Sequence, residues 1–337
     1  MTAILLIVGV LLLLTALVDV VWTAVAAGSG AGPLSSRFTR MLWNVALRAH
    51  SATPSPTVLT VAGVLIVLCV LLSWIALVLA GWLLVFSSAD GAVRAASTGA
   101  PGDLTDRVYF TGYTVFTLGI GDFVPGDGVW QLATVLATGS GLVLVTLSIT
   151  YLVPVASAVV QRRQLASQIA GLGRSGQEIV LRGWNGTDFG SLGQNLSMLS
   201  PTLHTVRLQH LTYPVLHFFH SQSPLDAAAV NLTNLAQALE LLRYGVATEA
   251  RPDDQTLGAL DAALDEFLEA LHGVHISDDA EPVPVADLTA LEDAGIPVDR
   301  SAYSRACADS ESRRRRLRSF LHDDGWDLED LPTGSPA

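Results

Sequence analysis

The stretch that decides the fold is FTGYTVFTLGIGDFVP, residues 110–125, in which two glycines one residue apart stand between a threonine and an aspartate. The segment that leads into it, 104–117, has a helix-like apolar pattern and a polar start at Thr105 and Asp106. A helix of this length cannot cross a bilayer, which takes about 20 apolar residues. The pattern therefore predicts a short segment that re-enters the membrane and is buried by surrounding protein.

Long apolar runs lie on both sides of this segment, at 2–26, 57–86 and 130–158. Each is long enough to span a bilayer as a helix. The runs are nearly free of charge and have no polar face, which disfavours three core helices of a soluble protein. The first run lacks a basic leading segment, which favours a retained span over a cleaved signal peptide. The sequence thus predicts an all-α membrane protein.

The arginines near the span ends predict the topology, because short cytoplasmic loops are rich in basic residues. Three arginines lie at 37–48, and Arg162 and Arg163 follow the third run. Both groups are cytoplasmic if the N-terminus is outside, which also places the acidic segment 87–129 outside. We expect a multi-pass protein of the plasma membrane with a cytoplasmic C-terminal domain. Asp19, inside the first run, either pairs with an inner-surface arginine or marks the depth at which the span ends.

The segment SSRFTRMLWNVALRAH, residues 35–50, mixes apolar side chains with three arginines. This composition is typical of an amphipathic helix lying on the inner membrane surface. A helix packed on the protein's own cytosolic domain fits the same pattern equally well.

The glycines of TLGIGD, residues 117–122, fit a loop that replaces the water around a cation with backbone carbonyl oxygens. Successive carbonyls must point towards one axis, which requires backbone angles that glycine adopts easily. Gly119 and Gly121 supply that freedom. The preceding helix directs its negative C-terminal end at the same cavity, which favours a dehydrating cation.

The other residues of this loop have complementary roles in such a site. Leu118 and Ile120 are expected to point outward and pack the loop in place. Thr117 offers its carbonyl and hydroxyl oxygens at the inner mouth, and Asp122 concentrates cations at the outer mouth.

This stretch resembles the signature of the potassium channel family, usually written T-V-G-Y-G-D. The chain from 57 to 160 resembles the two-helix pore module of small prokaryotic and two-pore-type channels. The resemblance implies an outer helix at 57–86, a pore helix at 104–117, a filter at 117–122 and an inner helix at 130–158. It also implies potassium ions bound at Thr117, Leu118, Gly119, Ile120 and Gly121. Four filter strands close a pore of this type, so one motif per chain implies a homotetramer.

Two positions depart from the family pattern. Ile120 stands where tyrosine is most common, so the aromatic hydroxyl that braces the filter is missing. Phe116 stands where threonine is common. These departures keep open a weaker discrimination between potassium and sodium.

The inner helix contains candidate gating hinges. Gly139 and Gly141 either let the helix bend on opening or allow close helix packing. Pro154, near the cytoplasmic end, predicts a kink. No span carries arginine at every third position, so a voltage-sensor helix is not expected.

The C-terminal half predicts about six helices and no recognised regulatory domain. GLGRSG at 171–176 matches a dinucleotide-binding fingerprint, but the sequence around it favours a helix end and turn. His210, His217 and His220 fall on one helical face, where packing in a bundle is favoured over metal binding. Arg313–Arg316 are expected to pair with acidic helices such as 260–270, with contact to lipid as the alternative.

The domain organisation expected from these patterns has five parts: an N-terminal transmembrane helix at 1–27, a cytosolic amphipathic linker at 28–56, the pore domain at 57–160, a helical cytosolic domain at 161–324 and a flexible tail at 325–337. The function expected is potassium-selective permeation, with no catalysis, no organic cofactor and an unidentified gating ligand. A net charge of −12 disfavours nucleic acid as a partner. A weakly selective cation channel and a non-conducting membrane-anchored sensor are the alternatives.

Overall fold

Helices form most of the chain, as a computed structural model describing residues 2–25, 31–52, 56–272 and 276–331 shows. The chain divides into two compact units. The first comprises Met1–Leu42 and Leu65–Val155, and the second comprises Trp43–Val64 and Ala156–Ala337. The second unit therefore includes part of the predicted linker and the start of the predicted outer helix.

The elements of the N-terminal half are four long helices, one short helix and two short strands. In chain order they are α1 (Thr2–Val25), α2 (Pro33–Ala52), α3 (Pro56–Phe86), β1 (Val93–Ala95), α4 (Leu104–Val115), β2 (Phe123–Pro125) and α5 (Val129–Leu172). Three of them are long and apolar enough to cross a membrane, namely α1, α3 from residue 57 onward, and α5. The three predicted spans are therefore helices of the required length.

The α1 helix packs closely on α3 in the first unit. A Cβ atom placed on Gly9 would lie 2.7 Å from the carbonyl oxygen of Gly81, too close for any side chain. Small residues of this kind let two membrane helices approach backbone to backbone. The predicted first span is thus a packed part of the first unit.

Asp19 joins three helices through a buried carboxylate. Its Oδ1 accepts hydrogen bonds from the backbone N–H groups of Leu34 at 2.8 Å and Ser35 at 3.1 Å. Its Oδ2 accepts from the Ser35 hydroxyl and, at 2.9 Å, from the Trp74 indole N–H. The first turn of a helix has unpaired N–H groups, and a carboxylate satisfies them well. The predicted pairing of Asp19 with an arginine is therefore wrong, because its partners lie on α2 and α3. That Asp19 marks the depth at which the first span ends stays a prediction.

The second unit is a bundle around α9. Its helices after α5 are α6 (Gly176–Gly183), α7 (Leu192–Ser197), α8 (Leu199–Thr212), α9 (Ala228–Glu240), α10 (Asp254–Leu271), α11 (Thr289–Asp293), α12 (Arg300–Asp309) and α13 (Glu311–Asp323). Short 3-10 turns occupy Pro214–Phe218, Pro224–Asp226 and Leu328–Asp330, and a π-helical turn ends α9 at Leu241–Gly245. Almost every residue of α9 is buried. This burial agrees with its Ala- and Leu-rich sequence, since apolar side chains without a branch at Cβ suit a central helix.

Several boundaries differ from those predicted. The inner helix does not end at 158, because α5 continues to Leu172. At 171–176 one helix ends and the next begins at Gly176, and the described part of the second unit contains no strand that could support a dinucleotide fold. The flexible-tail prediction is wrong for 325–331, since Trp326 is buried and stacks on His220. The rest of that tail, 332–337, and residues 28–30 and 53–55 of the predicted linker lie outside the described residues.

Candidate functional site

The short helix α4 is fixed at its start by a reciprocal cap. The Asp103 carboxylate accepts from the Asp106 N–H, and the Asp106 carboxylate accepts from the Asp103 N–H, each at 2.9 Å. Asp103 is therefore the capping residue, two positions before the predicted Thr105. The Arg107 guanidinium donates to the carbonyls of Gly102 at 3.1 Å and Ser87 at 3.3 Å, which ties this start to the residue after α3.

The end of α4 passes directly into the candidate filter. The N–H of Thr117 donates to the Thr114 carbonyl at 3.1 Å, and the N–H of Leu118 donates to the Tyr113 carbonyl at 2.8 Å. The last turn of the helix thus fixes the first two filter residues.

The filter backbone alternates between two conformations. Thr117, Gly119 and Gly121 have φ angles of 59°, 60° and 89°, whereas Leu118 and Ile120 are not among the positive-φ residues. Positive φ is open to glycine but costs energy in a β-branched residue such as threonine. Such strain persists where the surrounding structure enforces it, and it is concentrated at functional sites. Gly119 and Gly121 thus have the backbone angles for which the sequence analysis expected glycine.

The filter side chains have little contact within one chain. Residues 116–122 are all exposed, with Leu118 at 67% and Ile120 at 50% of full exposure. The packing predicted for these two side chains is therefore not supplied by the described residues of a single chain.

Two tyrosines of α4 reach the outer end of the filter, and the sequence analysis missed both. The buried Tyr113 hydroxyl donates to the Phe123 carbonyl, and the Tyr109 hydroxyl donates to Asp122 Oδ2 at 3.3 Å. They lie four residues apart on one face of α4, and their rings meet edge to face. These hydroxyls hold Asp122 and Phe123, directly after the candidate filter, although Ile120 carries no hydroxyl. The four-residue spacing of the two tyrosines was the available signal.

A two-stranded antiparallel sheet secures the chain after the filter. Val93 pairs with Pro125 and Ala95 with Phe123, and the N–H of Ala96 donates to the Asp122 carbonyl at 2.9 Å. The sequence did not predict these strands, because three residues are too few to show an alternating pattern. Asp122 is thus bound through its carbonyl group to one strand end and through its carboxylate to α4.

The candidate hinges of the inner helix have different surroundings. A Cβ atom on Gly141 would lie 1.9 Å from the Val115 carbonyl oxygen, whereas no atom lies within 4 Å of one on Gly139. Pro154 lies within α5, which is assigned as one helix from Val129 to Leu172. Gly141 is therefore the place where α5 touches the end of α4, just before the filter.

This difference predicts opposite outcomes for two alanine substitutions. Gly141→Ala is expected to lower the free energy of unfolding by about 1–3 kcal/mol, because the added methyl overpacks the contact with Val115. Gly139→Ala, two residues away on the same helix, should leave it unchanged or raise it by up to about 1 kcal/mol, because alanine favours helix over glycine. Unfolding of the full chain in detergent, followed by tryptophan fluorescence, measures both. Equal losses in the two variants would contradict the close approach at Gly141.

The second unit buries a cluster of charged groups beside α5. Arg162, only 4% exposed, donates to the carbonyls of Leu216 at 2.8 Å and Phe219 at 2.9 Å, and to Asp324 Oδ1 at 2.7 Å. Asp324 is buried too, and burial raises the pKa of its carboxyl group. This buried ion pair joins α5 to the residue that follows α13.

Two of the three predicted histidines belong to this cluster. Burial, with the Arg162 guanidinium nearby, lowers the pKa of His217 to about 3, so a neutral His217 donates through Nε2 to the Asp323 carboxylate. His220 donates through Nδ1 to the Asp324 carbonyl at 2.7 Å. His210 lies apart on α8, where its Nδ1 bonds to the Val206 carbonyl and its ring packs on Phe267. Among the residues described, no group of three or more His, Cys, Asp and Glu side chains is placed to hold a metal ion.

The start of α3 and the end of α2 contact the same region of the second unit. The Trp43 indole N–H donates to the Asp323 carbonyl at 3.1 Å, and its ring packs on Phe218. A Cβ atom on Gly63 would lie 2.5 Å from the Phe218 carbonyl oxygen. One side of the predicted amphipathic segment is therefore packed on the helical bundle.

The side chains of Arg313–Arg316 form ion pairs or hydrogen bonds within the second unit. Arg313 pairs with Asp261 and Asp265, and Arg316 pairs with Glu269 and Asp278. Arg315 pairs with Glu311, and Arg314 donates to the Cys307 carbonyl. The structure forms the pairing with acidic helices that the sequence favoured over lipid.

Comparison with known proteins relates residues 64–158 to ion channels. Residues 64–158 match the model of a family described as "Ion channel". Over 330 residues the chain is 33% identical to the uncharacterized membrane protein YdjJ of Bacillus subtilis (strain 168), covering 97% of this chain and 96% of that protein. No solved structure matches the chain.

Proposed function

The chain belongs to the ion channel family, and we propose that it conducts potassium ions through a filter formed by residues 117–121 of four identical chains. The observation that carries this proposal is the alternation of positive φ at Thr117, Gly119 and Gly121, directly after a short capped helix. Repeated every second residue, this conformation directs successive carbonyls to one side, where they can replace the hydration shell of an ion.

The exposed filter supports assembly into a tetramer. Leu118 and Ile120 are largely exposed, and an apolar filter side chain in water is unfavourable. Neighbouring chains around a fourfold axis would cover these side chains and bring four carbonyl oxygens to each level of the filter.

The tyrosine contacts favour potassium selectivity over the weakly selective alternative. A filter discriminates between ions through the number and placement of its carbonyl oxygens. The hydroxyls of Tyr109 and Tyr113 hold the exit of the filter, as the hydroxyl missing at position 120 does in the common pattern. We therefore expect a selective pore despite Ile120.

Regulation is assigned to the second unit. The arginine pattern supports a plasma-membrane protein with its N-terminus outside and the second unit in the cytoplasm. The α5 helix runs from Val129, shortly after the proposed filter, to Leu172, and it includes Arg162. A conformational change in the second unit can therefore act on the inner helix.

Reversal potentials of the purified full-length protein in planar bilayers test the proposal. With potassium on one side and sodium on the other, we expect a reversal potential close to the potassium equilibrium value. A reversal potential near zero, with current present, would support the weakly selective alternative. Absence of current from pH 5 to pH 8, with and without divalent cations, would support the non-conducting sensor.

A further inference from the structure

The first turns of α2 are held beside the membrane helices by the buried contacts of Asp19. This carboxylate of α1 accepts hydrogen bonds from the backbone N–H groups of Leu34 and Ser35 and from the indole N–H of Trp74 on α3. Both α1 and α3 are of membrane-spanning length. Since α2 begins at the hydrogen-bond cluster that joins them, and Asp19 lies in the last third of α1, we expect the start of α2 to lie at the membrane boundary.

The start of α2 has one buried and one exposed side. Ser35 and Thr39, four residues apart, are buried. Leu34 and Met41 are 37% and 56% exposed, and Arg37 and Arg40 are exposed beside them. We call these four residues, Leu34, Arg37, Arg40 and Met41, the outer face of α2. Apolar and basic side chains that share one exposed face are typical of a helix lying at a lipid interface.

The arginines of the outer face have no anionic partner within the described chain. Among the residues that the structure describes, neither Arg37 nor Arg40 forms an ion pair, and the sequence of α2 contains no acidic residue. This differs from the run at 313–316, where three of four arginines pair with carboxylates. The chain carries 31 acidic and 19 basic residues, so carboxylates are plentiful elsewhere. An anion from outside the chain fits the two arginines better than any described residue does.

We propose that the outer face of α2 docks on the anionic phospholipid surface of the membrane in which the protein resides. Leu34 and Met41 enter the boundary between headgroups and acyl chains, while Arg37 and Arg40 bind the lipid phosphates. Arginine suits this role because its planar guanidinium can donate two parallel hydrogen bonds to a phosphate. The same surface attracts basic residues through its negative potential within about 10 Å at ordinary ionic strength.

Fluorescence quenching by brominated lipids tests this docking in the full-length protein in liposomes. A bimane label at Met41→Cys, in a Cys69→Ala/Cys307→Ala background, reports lipid contact at the outer face. At equal mole fraction, brominated phosphatidylglycerol should quench the label at least about threefold more than brominated phosphatidylcholine, because each arginine favours anionic lipid. A label at the exposed Met198→Cys of the second unit should be quenched by neither lipid.

Charge variants separate anionic recognition from general lipid contact. Arg37→Gln/Arg40→Gln should reduce the quenching ratio to about 1, and Arg37→Lys/Arg40→Lys should restore most of it. Arg174→Gln/Arg305→Gln makes the same change in net charge at exposed sites of the second unit and should leave the ratio unchanged. A ratio near 1 in the parent protein would overturn the anionic preference. Absence of quenching by either lipid would overturn the docking itself and indicate that another protein surface, such as a second copy of the chain, covers the outer face.

Discussion

Gly119→Ala is expected to reduce potassium flux by at least about 100-fold. Gly119 has a φ of 60°, and a residue with a Cβ atom pays about 1–2 kcal/mol to adopt this left-handed conformation. In the proposed tetramer the change occurs four times in one ring, so the total strain reaches about 4–8 kcal/mol. Relaxation of that strain turns the carbonyls of Leu118 and Gly119 away from the axis. No atom lies within 4 Å of the added methyl in a single chain, so the effect comes from the backbone.

The matched control is Gly112→Ala, in the adjacent helix α4. Gly112 also has no atom within 4 Å of an added Cβ, but its φ is not positive. Alanine is tolerated at a helical position with open space around its Cβ atom, so this variant should conduct like the parent. Potassium efflux from liposomes, normalised to the amount of tetramer, measures both variants. Undiminished flux in Gly119→Ala would refute the filter assignment, and equal loss in both variants would point to general damage to α4.

Arg162→Met is expected to lower the free energy of unfolding by about 3–5 kcal/mol, since it leaves Asp324 buried without its positive partner. It also removes the donors to the Leu216 and Phe219 carbonyls. The paired variant Arg162→Met/Asp324→Leu removes both charges and should recover most of the loss, because an apolar pair of similar volume fits a buried site. Denaturant unfolding, followed by tryptophan fluorescence, measures the full-length parent, the two single variants and the double variant as a double-mutant cycle.

The sign of the pH effect follows from the raised pKa of Asp324. Loss of Arg162 raises that pKa further, so the folded Arg162→Met variant takes up a proton that the unfolded chain releases near pH 3.8. The loss of unfolding free energy in Arg162→Met, relative to the parent, should therefore shrink as the pH falls from 7 to 5, by at most about 1.4 kcal/mol per pH unit. The double variant lacks the carboxyl group and should not show this change. Additive effects of the two single substitutions would show that Arg162 and Asp324 are not coupled.

The positive φ angles of the candidate filter could be expected at Gly119 and Gly121 because that requirement is local. Glycine adopts such angles easily, and TLGIGD places two glycines one residue apart. The spans were equally visible, because membrane helices must be apolar along a fixed length. The contacts of Tyr109 and Tyr113 after the candidate filter were missed because two tyrosines four residues apart also fit ordinary aromatic packing. Only the structure places Asp122 and Phe123 next to their hydroxyl groups.

The charged residues were harder to interpret, because their environment depends on distant parts of the chain. Arg162 marked the cytoplasmic side in the sequence, and the structure shows it buried against carbonyls 54 and 57 residues away and a carboxylate 162 residues away. For 35–50 the sequence offered lipid or protein as the neighbour. The structure packs Trp43 on the bundle, which confirms a protein neighbour on that side of the helix, while the lipid neighbour of the exposed Arg37 stays a proposal.

The contacts of Asp19 impose an order on the synthesis of this protein. Every donor to its carboxylate is translated after it: Leu34 follows 15 residues later, Ser35 16 residues later and Trp74 55 residues later. When α1 leaves the ribosome, it therefore carries an acid whose hydrogen-bond partners do not yet exist. The first helix reaches its final hydrogen-bonded state only once the second membrane-length helix has been made. The packing of α1 is thus completed late, although its translation comes first.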